Sequence, residues 1–523
     1  MLDVRGLRRR MRRFWGRIST RMKVVLASAC AVALAAACFG GYLAGASIFK
    51  HDDSCLVSGA TKVIHQGAGA ECVGITDGSF VFDPSLAAVE HEILRENRRV
   101  TSAYPTSYVS VVLLLPISPS SGSILSMSNA LEQLRGAYVA QYYSNRNDVD
   151  GITPYIQLLI ASNGDQANEW AATDDIIEGA AAAQHIDAVT GLGLSLDQTE
   201  SAAKRLAAAG MPVIGATITS DHFDNIKNLI RVAPSNQDAI SVAVSYARAR
   251  STRAVLVEDQ NKGDTYDSTV VTGFEHYPDA KHRIVGKEPY DTTYRDQAQS
   301  PAAEAQAELL LKNRISQMTA DICLAQPAAV LFAGRGRDLA DLVADLADRP
   351  CTDKPITIIS GDDVTNLPFS QAVRQGLSSD VTVDYAGVAN PGEWSTGTGA
   401  AVAEGRQGFA AFEKAFAGLF QGATLDDGNT MMAYDAVLTG ISAIRLTSLP
   451  QPPQYAVAGE LGALHGARTV FGASGPLAFN ADYTTSAQGS NPIGKAVPIL
   501  SLRLDGGSQF VTLRWPGGQP VAY

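Results

Sequence analysis

Cysteine is scarce in this chain, with 6 among 523 residues, and histidine hardly commoner, with 8. No two cysteines form a C-x-x-C pair, which removes the usual zinc-ribbon frameworks. No H-E-x-x-H is present, and the histidines at 51, 65, 91, 185, 222, 276, 282 and 465 show no metal-ligand spacing. The G-x-S-x-G of serine hydrolases is absent: Ser195 sits in G-L-S-L-D, which lacks the second glycine, and Ser474 in G-A-S-G, where it is in the wrong place. Basic side chains are in deficit, 42 against 53 acidic ones, for a net charge of −11. An acidic body argues against binding nucleic acid. No repeat of 20–50 residues recurs, so a solenoid is excluded. These absences leave no signature of an enzyme, a cofactor or a metal.

The charge that is present is unevenly placed. Residues 1–23 carry nine basic side chains against one acid, Asp3, so the rest of the chain is more acidic than the whole. Val24–Phe49 then contains no charged residue and is long enough to cross a bilayer as a helix. The positive-inside rule places residues 1–23 in the cytoplasm and the body outside. Two other fates fit the same stretch. One is cleavage at the A-x-A-like Ala35–Ala37; the other is acylation of Cys38 behind an imperfect lipobox. All three send the body out of the cytoplasm, where disulfides are permitted. Proximity pairs Cys55 with Cys72 and Cys323 with Cys351, although four cysteines allow three connectivities. Each short loop is worth roughly 3 kcal/mol in the chain-entropy account.

At this length more than one core is expected. Residues 50–105 read as a juxtamembrane module, a spacer and cap with a charged helical pattern near Ser85–Arg99. From Tyr108 onward, apolar strands alternate with helical patterns. Val109–Leu115, Ile156–Ile160, Ile186–Thr190, Met211–Gly215 and Leu229–Val232 make a first series. Ala254–Glu258, Ala328–Ala333, Ile356–Ser360 and Val381–Ala389 make a second. Arg231–Ser235 reads as the crossing between them, and Gly475–Arg514 as antiparallel strands joined by Gly, Asn and Asp turns. The fold class is therefore α/β, with two parallel-sheet lobes and a cleft between them.

The central stretch is IDAVTGLGLSLDQTESAAKRLAAAGMPVIGATITS, residues 186–220. It reads as one βαβ unit with a hydroxyl-rich loop at each strand's carboxyl end, where open α/β sheets bind ligands. Ser195 and Gln198 are spaced as an S-x-x-Q capping box, and Gly210 with Pro212 stops the helix. Gly334-Arg335-Gly336-Arg337 follows a strand as a phosphate loop would, but the third glycine of G-x-G-x-x-G is missing.

The order of these pieces resembles the type I periplasmic binding proteins, and more narrowly their branched-chain (leucine/isoleucine/valine) amino-acid branch. The likeness is carried by residues 191–220, by RVAPSNQDA (231–239), by Asp264-x-Tyr266 before a helix ending in Gly273-Phe274, by MMAYDAVLTGISAI (431–444) and by FGASGPLAFN (471–480). It covers roughly residues 106–510. The resemblance implies two Rossmann-like lobes joined by three hinge crossings: lobe 1 at about 106–234 and 366–469, lobe 2 at about 235–365 and 470–523. It implies a ligand cleft lined by Ser118, Ser120, Ser121, Gly193, Ser195, Thr217, Thr219 and Ser220 from lobe 1, with Tyr266, Arg335 and Asp362 from lobe 2. Amino-acid binders place an acid near position 335; here Arg335 and Arg337 stand there, which makes an anionic ligand group more plausible, while Asp362 or Asp363 could restore the acid. The expected function is capture of a small polar metabolite, an amino acid or small organic anion, for an ABC permease. Some envelope regulators use the same fold as a ligand-independent scaffold for a protein partner, and receptors of this fold often pair through lobe 1.

Overall fold

The computed structural model describes residues 55, 61–66, 71–118, 124–146, 151, 153–298, 300–395, 400–425 and 428–521. The proposed membrane segment, residues 24–49, lies outside them; among the described residues no helix is long and apolar enough to cross a membrane.

The first sheet has seven strands: β1 (Lys62–Gln66), β2 (Glu71–Thr76), β3 (Tyr108–Leu115), β4 (Tyr155–Ser162), β5 (Ile186–Gly191), β6 (Val213–Gly215) and β7 (Leu229–Arg231), in the order β1-β2-β4-β3-β5-β6-β7. β3 is apolar from Val111 to Leu115, and broken only by the buried Ser110, because both its faces are covered. It pairs in parallel with β4 (Val111 with Leu158) and with β5 (Val111 with Ala188). Four helices belong to this part of the chain: α1 (Ala87–Ala103), α2 (Met127–Ser144), α3 (Trp170–Ala180) and α4 (Asp197–Ala208). β1 and β2 form a hairpin whose second strand runs antiparallel to β4 (Ile75 with Ala161), and Asn97 of α1 donates to the Leu158 carbonyl at 2.7 Å. Residues 61–66 and 71–103 are therefore part of lobe 1 and not the separate module read from the sequence. Their polar, charged composition belongs to an edge hairpin and a half-covered helix.

After the crossing, the second lobe begins with α5 (Asn236–Arg248), capped by the Ser235 hydroxyl, which accepts from the Asp238 N–H. β8 (Arg253–Asp259), α6 (Thr265–Phe274), β9 (Arg283–Tyr290), α7 (Pro301–Ala325), β10 (Ala329–Ala333), α8 (Gly336–Asp345), β11 (Ile356–Ser360), α9 (Gln371–Ser378) and β12 (Val381–Ala386) follow. The chain then builds α10 (Ala400–Leu419), α11 (Asn429–Leu446), the small hairpin β13 (Val470–Gly472) and β14 (Gly475–Leu477), and last β15 (Val497–Leu502) and β16 (Ser508–Arg514). The second sheet runs β16-β15-β12-β11-β10-β8-β9, parallel except for β15 and β16.

This topology moves two of the expected hinge crossings. β12 pairs in parallel with β11 (Ile358 with Val383), so the chain leaves lobe 2 after Ala386 and not at 366. The β13–β14 hairpin packs on α10 and α11, and return to the second sheet comes only at Val497, not at 470. The crossing at Arg231–Ser235 is where it was read. Arg231 is fully buried there. Its N–H donates to the Ser490 carbonyl at 3.0 Å, and its guanidinium binds Asn491, Asp224 and the Ser220 carbonyl, tying the first crossing to the third. α11 is buried almost all round because it lies between α2 and β5. A Cβ at Gly136 on α2 would stand 2.0 Å from the Thr430 carbonyl oxygen, which shows how closely those helices approach.

Cys323 and Cys351 form a disulfide, with Cα atoms 5.5 Å apart. Cys55 and Cys72 are each disulfide-bonded as well.

Candidate functional site

The strand-end loops of both lobes meet in an interlobe cleft. Of the eleven residues expected to line it, Gly193, Ser195, Thr217, Thr219, Tyr266, Arg335 and Asp362 do line one cavity. Ser118 does not; it is buried and donates its hydroxyl to Glu71. Ser220 does not either; it is buried and donates to the Thr265 carbonyl at 2.9 Å. Ser120 and Ser121 lie outside the described residues.

Lobe 1 contributes a wall of hydroxyls and backbone. Gly193 has φ +70, and a Cβ there would meet Pro116 Cδ at 2.3 Å, so this turn requires glycine. Ser195 is not the helix cap its spacing predicted. α4 starts two residues later behind Leu196, with no side-chain cap. The Ser195 hydroxyl instead accepts from the N–H groups of Thr219 (2.9 Å) and Ser220 (3.2 Å), stitching the two loops together. Thr217 donates to the Gly193 carbonyl at 2.7 Å. Nor is the start of α4 an open anion site, since its Asp197 N–H donates to the Gly263 carbonyl of lobe 2 at 3.3 Å and its first turn holds Asp197 and Glu200.

Lobe 2 contributes charge, nearly all of it internally paired. Asp264 caps α6 by accepting from the N–H groups of Tyr266 and Asp267. It also binds the Arg335 guanidinium at 2.7 Å and 2.8 Å. Arg335 is only 3% exposed; it donates to Asp363 at 3.0 Å and lies over the Tyr266 ring at 4.6 Å. Burial opposes its charge, but the Asp264 and Asp363 carboxylates outweigh this and raise its pKa well above the usual value. Arg337 pairs with Asp296 at 2.7 Å. The anion-binding expectation for these arginines is therefore corrected: nearby carboxylates already neutralise both.

Asp362 differs from its neighbours. Across the cleft its carboxylate accepts only a long hydrogen bond among the described residues, from the Thr219 hydroxyl 3.4 Å away. Its pKa is pushed up to about 7, first by burial and then by Asp363, with Arg335 and Thr219 offsetting only part. Gln133 of α2 also faces the cavity, and its Oε1 is sealed from solvent without a hydrogen-bond partner. Gln133 and Asn429 were missed from the sequence. The available signal was a polar residue on the otherwise buried faces of α2 and α11.

The cleft is shut by direct contacts between lobes. Arg335 donates to the Ser195 carbonyl at 2.8 Å, the Tyr266 N–H reaches the same oxygen at 3.3 Å, and Asn129 donates to the Thr365 carbonyl at 3.1 Å. The space left is about 20 Å³, enough for one water.

No family model and no curated protein matches the chain. Solved structures do. An ABC transporter substrate-binding protein from Desulfitobacterium hafniense, in complex with Leu, is 16% identical at a TM-score of 0.55, covering 77% of this chain and 100% of its own. The branched-chain amino acid transporter substrate-binding protein LivJ from Streptococcus pneumoniae, in complex with isoleucine, is 15% identical at 0.55, covering 78% and 99%. A solute-binding protein of an ABC transporter from Rhodopseudomonas palustris BisB5, in complex with 3,4-dihydroxy benzoic acid, is 12% identical at 0.52, covering 78% and 98%. At these identities the likeness establishes the fold: two α/β lobes of the type I periplasmic binding protein kind.

Proposed function

We propose that the protein is a hinge-closing receptor for a small polar solute bearing a hydrogen-bond-donating cation, such as the ammonium of an amino acid. The observation that carries this reading is the imbalance within the cleft. Both arginines are neutralised, whereas Asp362 has no cation of its own and Gln133 Oε1 has no donor. A donor-rich solute would satisfy both. The solved neighbours that carry leucine and isoleucine support the same ligand class. The reading extends to an ABC permease as the acceptor of the solute and to an extracytoplasmic body tethered through residues 24–49. The Cys323–Cys351 disulfide favours an oxidising compartment.

The closed cleft is too small for an amino acid, so solute must enter a wider state and shift the balance between the two by its differential affinity. That same small volume is the one observation favouring a second reading, a ligand-independent envelope scaffold whose cleft is filled by its own side chains.

A thermal-shift screen of the full chain in detergent separates the two. The panel holds amino acids, organic acids, sugars and nucleosides. A ligand at 100 times its dissociation constant adds about 2.7 kcal/mol, a shift of a few degrees. Shifts confined to amine-bearing compounds and abolished by Asp362→Asn support solute capture. A flat response across the panel from folded protein selects the scaffold, and partner capture from membranes becomes the next experiment.

A further inference from the structure

The cleft uses the carboxyl edge of the first sheet. The opposite edge carries a groove of about 630 Å³, within the range of small-molecule sites. Asp187, His185 and Glu178 contribute to its wall, with Pro452, Pro453 and Tyr455 from the segment after α11. A neighbouring groove of about 590 Å³ shares Gly210 and Tyr455 with it.

Asp187 is the unusual member. It lies at the start of β5, is 6% exposed, and its Oδ2 is sealed from solvent with no hydrogen-bond partner. It occupies a bulge: Ser110 of β3 pairs with Ile186 and Val111 with Ala188, so Asp187 is skipped in the ladder. Bulges re-aim side chains, and His185 before it holds a left-handed φ of 50. A carboxyl with one oxygen buried and unpartnered in a central strand gives the fold nothing, since burying that oxygen without a partner costs stability. Burial alone holds its pKa at about 7. Glu178, the other acid at the groove, is already paired with Arg205 at 2.9 Å. The groove also collects the residues just past the ends of α3 and α4, Ala181 and Ala209, and so faces the negative poles of two helices. Tyr455, 77% exposed, offers an aromatic face at its rim.

We propose that this groove is a second ligand site, distinct from the cleft, which takes a small organic cation: an ammonium on an apolar or aromatic body, with Asp187 as its counter-ion and Tyr455 packing against the body. Nothing in the proposal depends on what the cleft binds.

The test is calorimetric titration of the full chain in detergent with benzylamine at pH 8, and with benzyl alcohol as the neutral isostere. The expected result is saturable binding of benzylamine alone. Asp187→Asn should weaken it at least tenfold while melting no lower than wild type, since it removes an unpaired buried charge. Tyr455→Ala, at an exposed position, should weaken it severalfold. Asp362→Asn should leave it in place. The proposal is overturned if wild type shows no saturable binding, if benzyl alcohol binds as well, or if Asp187→Asn binds as tightly. It is also overturned if Asp362→Asn alone abolishes binding, which would assign the amine to the cleft.

Discussion

The two walls of the cleft solve the same problem with different chemistry. Lobe 1 presents Gly193, Ser195, Thr217 and Thr219, and the Ser195 and Thr217 hydroxyls satisfy backbone groups of these loops. Lobe 2 presents Arg335, Asp264 and Asp363, which satisfy one another and then reach across to the Ser195 carbonyl. A neutral wall can lose a member and keep most of its order. A charged, buried wall cannot, because each ion left behind keeps its desolvation cost. Asp362 falls between the two, an acid held near neutrality by burial with only a long contact to Thr219 across the cleft, and is the position where a solute would register most directly.

The largest expected effect follows from breaking the charged wall. Arg335→Ala leaves Asp264 and Asp363 buried without their cation and should cost about 3–5 kcal/mol in denaturant unfolding. A loss below 1 kcal/mol would mean that water already reaches those carboxylates. On the neutral wall, Ser195→Ala removes the acceptor of two buried N–H groups and should cost about 1–3 kcal/mol. If it cost as much as the arginine, the contrast between the walls would fail.

Asp362→Asn should act in the opposite direction. Asp362 holds its proton more tightly in the folded chain than in the unfolded one, with a pKa raised from 3.8 to about 7. Its contribution to stability therefore falls as pH rises from about 4 to about 7 and is level beyond. The asparagine variant should be more stable than wild type by about 2 kcal/mol at pH 8, taking ~1.4 kcal/mol per unit and allowing for solvent near a half-buried group, with the difference vanishing near pH 4. Thermal melts across that range check it; a difference independent of pH would remove Asp362 as the titrating group. The smallest effect belongs to Thr219→Val, which loses only a 3.4 Å contact and should stay within about 0.5 kcal/mol.

Much of the scaffold was legible because it rests on local pattern. The apolar runs at Val109–Leu115 and Ala329–Ala333 show that they are covered on both faces, and Gly191, Gly193 and Gly210 mark the turns between strand and helix. Seven of the expected cleft residues converge for the same reason, since the carboxyl ends of parallel strands share one edge. The capping role of Ser195 was misread because the spacing to Gln198 says nothing about a loop 24 residues away that also needs an acceptor.

What the sequence by itself determined is the alternation of strand and helix, the first crossing at Arg231–Ser235 and the cysteines close enough along the chain to pair. Each depends on neighbours within a few turns of backbone, or on a short loop. The tertiary structure alone decided where the other two crossings fall, because strand order depends on pairing such as β11 with β12 and β12 with β15. It also decided the charge of the cleft. Arg335 meets Asp264 across 71 residues of chain and the Ser195 carbonyl across 140, and no local pattern encodes which acid will neutralise which base. Charge interacts through space, whereas periodicity is read along the chain, and the cleft is built from charge.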